Sequence, residues 1–345
     1  MISLDRLMKL GVVITGGTIG SRYDQDLIVT PQDTPFDEEV FVSQLCSDQA
    51  TPVFRCPFEE ASENLLPKDW QCIATSVREL VTEESVEGVL ILHGTDTMAY
   101  TASALSFLLA DVDVPIVITG SRLPKDDQSS DAPKNVQDSL CALRHLERGV
   151  YVVFSRGPVG LVHLGTRVRK TGAQGVWFES INREPVGEIV DGNFQKPRLC
   201  SFQRANERRD SLDGRVLALR IYPGLNLAAM LCAVQQAQIK GVVLELYMSN
   251  TGPQKVPLEY SLPRFVEQCV SNGIPVFTTT SRDIGRVEKK YSSTKEIEDA
   301  GAVYLADMIP ETALVKLMWA LGVTNEIEGV KCLMVRGIAG EVERA

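Results

Sequence analysis

The sequence predicts an α/β protein in two parts. A larger N-terminal domain on a mostly parallel sheet is followed by a smaller C-terminal parallel α/β domain. Three observations predict this. The 345 residues exceed what one ordinary core holds, so about two domains are expected. Short Val/Ile/Leu runs recur along the chain, unbroken rather than alternating, as in strands covered on both faces. Helical patterns stand between those runs, and strand–helix–strand alternation calls for right-handed crossovers.

In chain order, "LGVVIT" (10–15), "GVLILH" (88–93), "PIVITG" (115–120) and "VYVVFS" (150–155) read as buried strands. Helices are predicted over 69–81, 97–109 and 134–147. Residues 188–213 are polar, partly basic and poor in apolar periodicity, the mark of a break between domains. The expected boundaries are a catalytic domain over 1–190, a linker over 191–213 and a second domain over 214–345. In the second domain the strands are "RVLALRIY" (215–222), "GVVLELY" (241–247) and "IPVFTTT" (274–280), with helices over 226–238, 262–271 and 312–321.

Composition narrows the function. The net charge of −10 argues against a nucleic-acid partner, because phosphate binding needs a basic stripe. No run reaches the roughly 20 apolar residues of a membrane span, and no secretory leader is visible, so a cytoplasmic protein is expected. The eight cysteines (Cys46, Cys56, Cys72, Cys141, Cys200, Cys232, Cys269 and Cys332) stand singly. They read as reduced thiols of a reducing compartment. None sits at zinc-ligand spacing with His93, His145 or His163, so neither metal nor other cofactor is expected.

Two strand ends carry the chemistry. In "VVITGGTIGS" (12–21), Gly16 and Gly17 leave the backbone uncovered and present Thr18 at the carboxyl end of a strand, where open α/β sheets bind ligands. A plain tight turn fits the same residues. A phosphate loop fits less well, since the Walker lysine and the G-x-G-x-x-G spacing are missing. In "VLILHGTDTMAYTASALSFLL" (89–109), a strand ends at His93 and Gly94, and Thr95, Asp96 and Thr97 precede a helix. One of these polar residues suffices as an N-cap, worth about 1 kcal/mol. The others are left facing the sheet's carboxyl edge, and a helix N-terminus attracts a carboxylate ligand.

Three further stretches read, on their own, as ordinary surface. Ser62, Glu63 and Asn64 form a polar cluster before a helix starting near Pro67. Lys170 lies between Arg167, Arg169 and Thr171 on a basic face, and 120–135 is a Gly/Pro/Asp-rich connection. There is no G-x-S-x-G and no H-E-x-x-H. A hydrolytic nucleophile is therefore sought among threonines, with a lysine as its base.

Together these stretches resemble the L-asparaginase/glutaminase amidohydrolase family. "TGGTIG" (15–20) and "HGTDTMAYTASALSFLL" (93–109) match its two signatures, and "SEN" (62–64), "GSRLP" with "SSDAPKN" (120–135), and "RVRKT" (167–171) follow in order. The resemblance implies that Thr18 attacks a side-chain amide. Thr95, Asp96 and Lys170 would form a second catalytic group, the lysine and aspartate pairing in a buried cleft. Ser62 and Glu63, with Asp96, would hold the α-amino and α-carboxylate ends of the substrate. Asn250 and Glu296 would complete a neighbour's site, in a homodimer or homotetramer. The expected substrate is asparagine, glutamine or a related small amide.

The family's lid tyrosine stands about ten residues after the nucleophile. Here that position is Ile28, and Tyr23 is the nearby candidate to replace it. "SRYD", "SEN", "RVRKT" and "ESIN" (179–182) also resemble the amidase component of the archaeal glutamyl-tRNA amidotransferase. That offers an ammonia-supplying amidase of a larger complex as the alternative. The extra N-terminal domain of that component is expected to be absent, because the chain opens on its first strand. A third reading, a weakly catalytic binding or sensor protein, rests on the displaced tyrosine alone.

Overall fold

The computed structural model describes residues 7–24, 27–29, 37–46, 49–173, 176–195, 208–255, 257–280 and 291–343. The chain divides into two compact units, 1–180 with 184–208, and 181–183 with 209–345.

In the first unit, β1 (Met8–Ile14) is followed by a short hairpin, β2 (Arg22–Asp24) and β3 (Leu27–Val29). Next come α1 (Asp37–Cys46), β4 (Ala50–Arg55), α2 (Pro67–Thr82), β5 (Gly88–Leu92), α3 (Met98–Leu108), β6 (Pro115–Thr119), α4 (Ala132–Leu143) and β7 (Gly149–Arg156). Then β8 (Val159–Leu164), the hairpin β9 (Val168–Ala173) and β10 (Val176–Ser180), and the hairpin β11 (Gly187–Val190) and β12 (Asn193–Gln195) complete it. The main sheet runs β12-β11-β8-β7-β6-β5-β1-β4. It is parallel from β4 to β7 and antiparallel beyond. β5 and β6 are buried at every residue, which is why their sequences are apolar without alternation. α2 buries Trp70, Ile73, Ala74, Val77 and Leu80, a stripe at helical spacing. Its start is set by Pro67 in the first turn and by the Asp69 carboxylate, which accepts the Leu66 N–H at 2.8 Å. α3 is buried on nearly every side, so its periodicity carries little direction.

The second unit holds β13 (Val216–Arg220), α5 (Leu227–Gln236), β14 (Gly241–Leu246), α6 (Leu262–Ser271), β15 (Val276–Thr280), α7 (Ser292–Asp299), β16 (Val303–Tyr304), α8 (Pro310–Val323) and α9 (Ile327–Val335). Its four strands are parallel in the order β13-β14-β15-β16. Lys316 of α8 is wholly buried. Its ammonium donates to the carbonyls of Met334 and Arg336 and to Glu341, itself wholly buried, at 2.5 Å. Glu341 also accepts the N–H groups of Ile338 and Ala339.

The expected linker over 191–213 is corrected at its start. Asp191 and Gly192 both take positive φ, 49° and 73°, and form a two-residue turn with Val190 paired to Asn193. That turn chemistry closes β11 onto β12 at the edge of the main sheet, so 191–195 belong to the sheet. Residues 196–207 lie outside the described residues. Among the described residues no helix is long and apolar enough to cross a membrane.

Candidate active site

β1 and β5 are neighbours, with Ile14 paired to Leu92, so their carboxyl ends open side by side. Beyond β1, Thr15 donates its backbone N–H and its hydroxyl to the Leu92 carbonyl, at 3.1 and 2.8 Å. Its own carbonyl accepts the Glu60 N–H at 3.0 Å, which ties the 60–64 loop to the same edge. Gly16 and Gly17 then take φ of 95° and 86°, the left-handed region that only glycine enters freely. The next residue, half-buried Thr18, opens a single 3-10 turn closed by Gly20 N–H to the Gly17 carbonyl.

The three loops meet where Gly16, Gly17 and Gly94 leave the backbone bare. A Cβ on Gly17 would collide with the backbone of Gly94. A Cβ on Gly94 would lie 2.7 Å from the Ser62 Cβ and Oγ, and one on Gly16 would meet the Glu60 backbone at 2.7 Å. The loops bearing Thr18, Thr95 and Ser62 therefore approach as closely as bare backbone permits. Thr97 adds a tie, donating its hydroxyl to the Ser62 carbonyl at 2.7 Å.

On the far side, Lys170 of β9 donates to the Thr95 hydroxyl at 2.8 Å and to the Asp96 carboxylate at 2.6 Å. Thr95 is buried, whereas Asp96 is 64 % and Lys170 22 % exposed. The expectation of a buried lysine–aspartate pair is thus corrected. Asp96 stands at the first exposed step after a buried strand end, with water on one side. The Lys170 ammonium also lies 5.5 Å from the Trp177 ring centroid on β10.

Sequence reasoning did not assign the groups that hold this turn from behind. His93 is fully buried, and burial pushes its pKa down to about 4, so it is neutral at ordinary pH. Its Nδ1 lies 2.6 Å from the Gly94 carbonyl, which can only accept, so the proton sits there. Nε2 then accepts from the Thr101 hydroxyl at 3.0 Å, and Thr101 accepts from Trp70 Nε1 at 3.0 Å. This chain of hydrogen bonds links α2, α3 and the Gly94 turn. A histidine at a buried strand end, followed eight residues later by a buried helical threonine, is the signal that was available.

The other expected site residues fall as follows. Ser62 is buried and Glu63 exposed, both in the 3-10 turn 62–64. Tyr23 is 45 % exposed and donates its hydroxyl to Asp127 at 3.0 Å; that hydrogen bond to a carboxylate raises its pKa. No hydrogen bond joins Tyr23 to Thr18 among those described. Ile28 pairs directly with Tyr23 across the β2–β3 hairpin. In the second unit, Asn250 is buried at φ 57°, its carbonyl accepting the Thr294 hydroxyl at 2.7 Å and its Oδ1 unpartnered among the described residues. Glu296 is exposed on α7. Arg167 is fully buried rather than part of a solvated basic face. Among the described residues no three His, Cys, Asp or Glu side chains gather as metal ligands would.

Hydroxyls and a carboxylate at two adjacent carboxyl strand ends of an open α/β sheet, with a lysine reaching them from β9, form the candidate active site. Residues 9–198 match the family described as Asparaginase, N-terminal, and residues 215–334 match the Glutaminase/Asparaginase C-terminal domain. A component of the glutamyl-tRNA(Gln) amidotransferase of Methanococcus maripaludis strain C7 is 33 % identical over 354 residues, covering 99 % of this chain and 82 % of that one. The corresponding amidotransferase component of Pyrococcus abyssi is 34 % identical, covering 97 % and 77 %. Among solved structures, the thermostable L-asparaginase from Thermococcus kodakarensis superimposes with a TM-score of 0.83 at 33 % identity, covering 98 % of this chain and 100 % of that one. L-Asparaginase I from Vibrio cholerae gives 0.83 at 27 % identity, covering 98 % and 100 %. The chain belongs to the asparaginase family and is an amidohydrolase of that family.

Proposed function

We propose that the chain hydrolyses the side-chain amide of asparagine, glutamine or a related small carboxamide, with Thr18 as nucleophile. The observation that carries this reading is the glycine-to-glycine approach of the Thr18 and Thr95 loops, with Lys170 bonded to both Thr95 and Asp96. Thr18 Oγ adds to the amide carbon, its hydroxyl proton passes to the amide nitrogen, and the C–N bond breaks to release ammonia and leave an acyl-enzyme. A water held by Thr95 then adds to the ester, and the acid departs. Lys170, held as an ammonium by Asp96, gives a proton through the Thr95 hydroxyl to the departing Thr18 oxygen and regains one from the attacking water. Backbone N–H groups of the glycine turns are the donors for the developing oxyanion. Ser62, Glu63 and Asp96 bind the charged ends of the amino acid. Tyr23 is the lid hydroxyl, released from Asp127 when it acts.

The likeness to the amidotransferase components supports a second reading, in which the same chemistry supplies ammonia to a partner protein. Asn250 and Glu296 complete the site of a second copy in a dimer or tetramer, a reading that rests on the family resemblance and, for Glu296, on its exposure on α7. Seven described cysteines are free thiols, which suits a cytoplasmic protein. The test is ammonia release from asparagine, glutamine and N-substituted amides by the purified chain and by Thr18→Ala, with light scattering at the assay concentration. Thr18→Ala should bind substrate and lose turnover by at least about a hundredfold. Normal turnover by the folded variant removes the nucleophile assignment, and a fully active monomer removes the shared site.

A further inference from the structure

We infer that Trp177 is a positioning residue for Lys170, its ring being the third partner of the ammonium; this rests on the reading of Lys170 given above. An ammonium has three N–H donors. Two go to Thr95 and Asp96, and the nitrogen lies over the Trp177 ring, 5.5 Å from its centroid and inside the reach of a cation–π contact. A flexible four-carbon stem that is 22 % exposed would otherwise let the ammonium swing toward water. The ring closes that third direction without offering an acceptor that would compete for the proton.

Two independent features put the ring there. The β9–β10 pairing slips between Val176 and Phe178: Ala173 faces Val176, and Lys170 faces Phe178. Thr171 and Gly172 therefore oppose Trp177 alone, a bulge in which Gly172 takes φ 63°. Bulges re-aim side chains, and this one lies between the lysine and the hairpin turn. The neighbouring Phe178 is anchored in the core against Phe154, centroids 5.0 Å apart, and Ser180 bonds buried His163 at 2.8 Å, so the strand has a fixed base. The ring also has a second cationic neighbour. The Arg122 guanidinium is 5.8 Å from its centroid, and the buried Asp131 carboxylate fixes Arg122 through its N–H and Nε at 2.9 and 3.1 Å. Trp177 thus relates the loop after β6 to the lysine on β9.

The experiment compares Trp177→Leu, which keeps bulk but has no π face, with Trp177→Phe, which keeps a weaker one, beside Lys170→Met. Trp177 is only partly buried, so both variants should fold, checked by their melting curves. Ammonia release by Trp177→Leu should show kcat reduced about tenfold with KM within about twofold, and Trp177→Phe should recover most of the loss. A Trp177→Leu enzyme with wild-type kcat, while Lys170→Met is inactive, overturns the inference and leaves the proposed function standing. A rise in KM at unchanged kcat also overturns it, making Trp177 a wall of the substrate pocket. A fully active Lys170→Met overturns the reading of the lysine itself, and the inference with it. If Trp177→Leu fails to fold, Trp177→Phe decides alone: equal kcat to wild type sinks the positioning role, and a loss of about two- to threefold at constant KM supports it.

Discussion

Two lysine–carboxylate pairs in this chain have the same chemistry and opposite surroundings, so their removal should separate rate from stability. Lys170 and Asp96 are 22 % and 64 % exposed; Lys316 and Glu341 are both fully buried. In Lys170→Met the carboxylate left behind is Asp96, already facing water, and exposed pairs contribute about 1 kcal/mol or less. The melting temperature should hardly move. The rate should fall about 10²- to 10⁴-fold, the usual loss when a positioned proton-transfer group is removed. In Lys316→Met, Glu341 stays in the interior, keeping the Ile338 and Ala339 N–H groups but losing the ammonium, and the carbonyls of Met334 and Arg336 lose the Lys316 donor. Breaking such a buried pair costs about 3–5 kcal/mol. At about 2.1 cal/mol/K of unfolding entropy per residue, that lowers Tm by about 4–7 °C for 345 residues melting together. Any surviving folded Lys316→Met should have near-normal kcat at low temperature. The assay is ammonia release at saturating substrate beside calorimetric melting, both variants in one buffer. If Lys170→Met loses stability and keeps its rate, or Lys316→Met loses rate and keeps its stability, burial is the wrong guide to what these pairs do.

Gly94→Ala places a methyl 2.7 Å from the Ser62 side chain, so it should cost about 1–3 kcal/mol and, on the proposed function, raise KM as the 60–64 loop is pushed off the Thr95 turn; an unperturbed KM would show that the loops do not need their close approach. The folded pKa of His93, about 4, lies below its unfolded value near 6.5, so the unfolded state binds the proton first as pH falls. Its contribution, on the order of 3 kcal/mol, is full above about pH 6.5 and is lost toward pH 4. Urea unfolding of wild type and His93→Gln over that window should show the gap between them closing with acid; parallel curves would remove this assignment.

The seven apolar strands and six helices predicted from pattern all form, shifted by one or two residues at most ends and by up to four at the C-terminus of α4. They are the buried elements, where packing and periodicity agree. What pattern missed includes the edge strands β4 and β12, the internal strands β8 and β11, and the helices α1, α7 and α9. β4 carries Pro52 and is mostly half-buried, as an edge strand is, so its composition speaks weakly. The Asp191-Gly192 turn was legible as a hairpin signal, but its strands are too short and polar to read as part of a buried sheet. At the site, Thr18 and Thr95 were legible because glycines mark the strand ends. The roles of Ser62 and Lys170 came from resemblance, since a polar turn and a basic strand have many ordinary uses. Trp177 was not legible at all, because only the bulge at Thr171 and Gly172 brings its ring to the lysine.

The question of the lid tyrosine changes when register replaces spacing. Counted along the chain, Tyr23 is five positions short of Ile28, and the two look like alternatives of which only the wrong one is aromatic. In the hairpin they are direct cross-strand partners, and directly opposed residues of an antiparallel pair present their side chains on one face. A hydroxyl carried at position 23 therefore emerges beside the one that position 28 would carry, separated by the distance between two strands. Moving the tyrosine across the ladder keeps the face and changes the direction of approach, and Asp127 now engages the hydroxyl. On the function proposed above, a face-preserving exchange of this kind would let Tyr23 serve beside Thr18, Thr95, Asp96 and Lys170 although position 28 is Ile28. Tyr23 remains the residue through which such a lid would act.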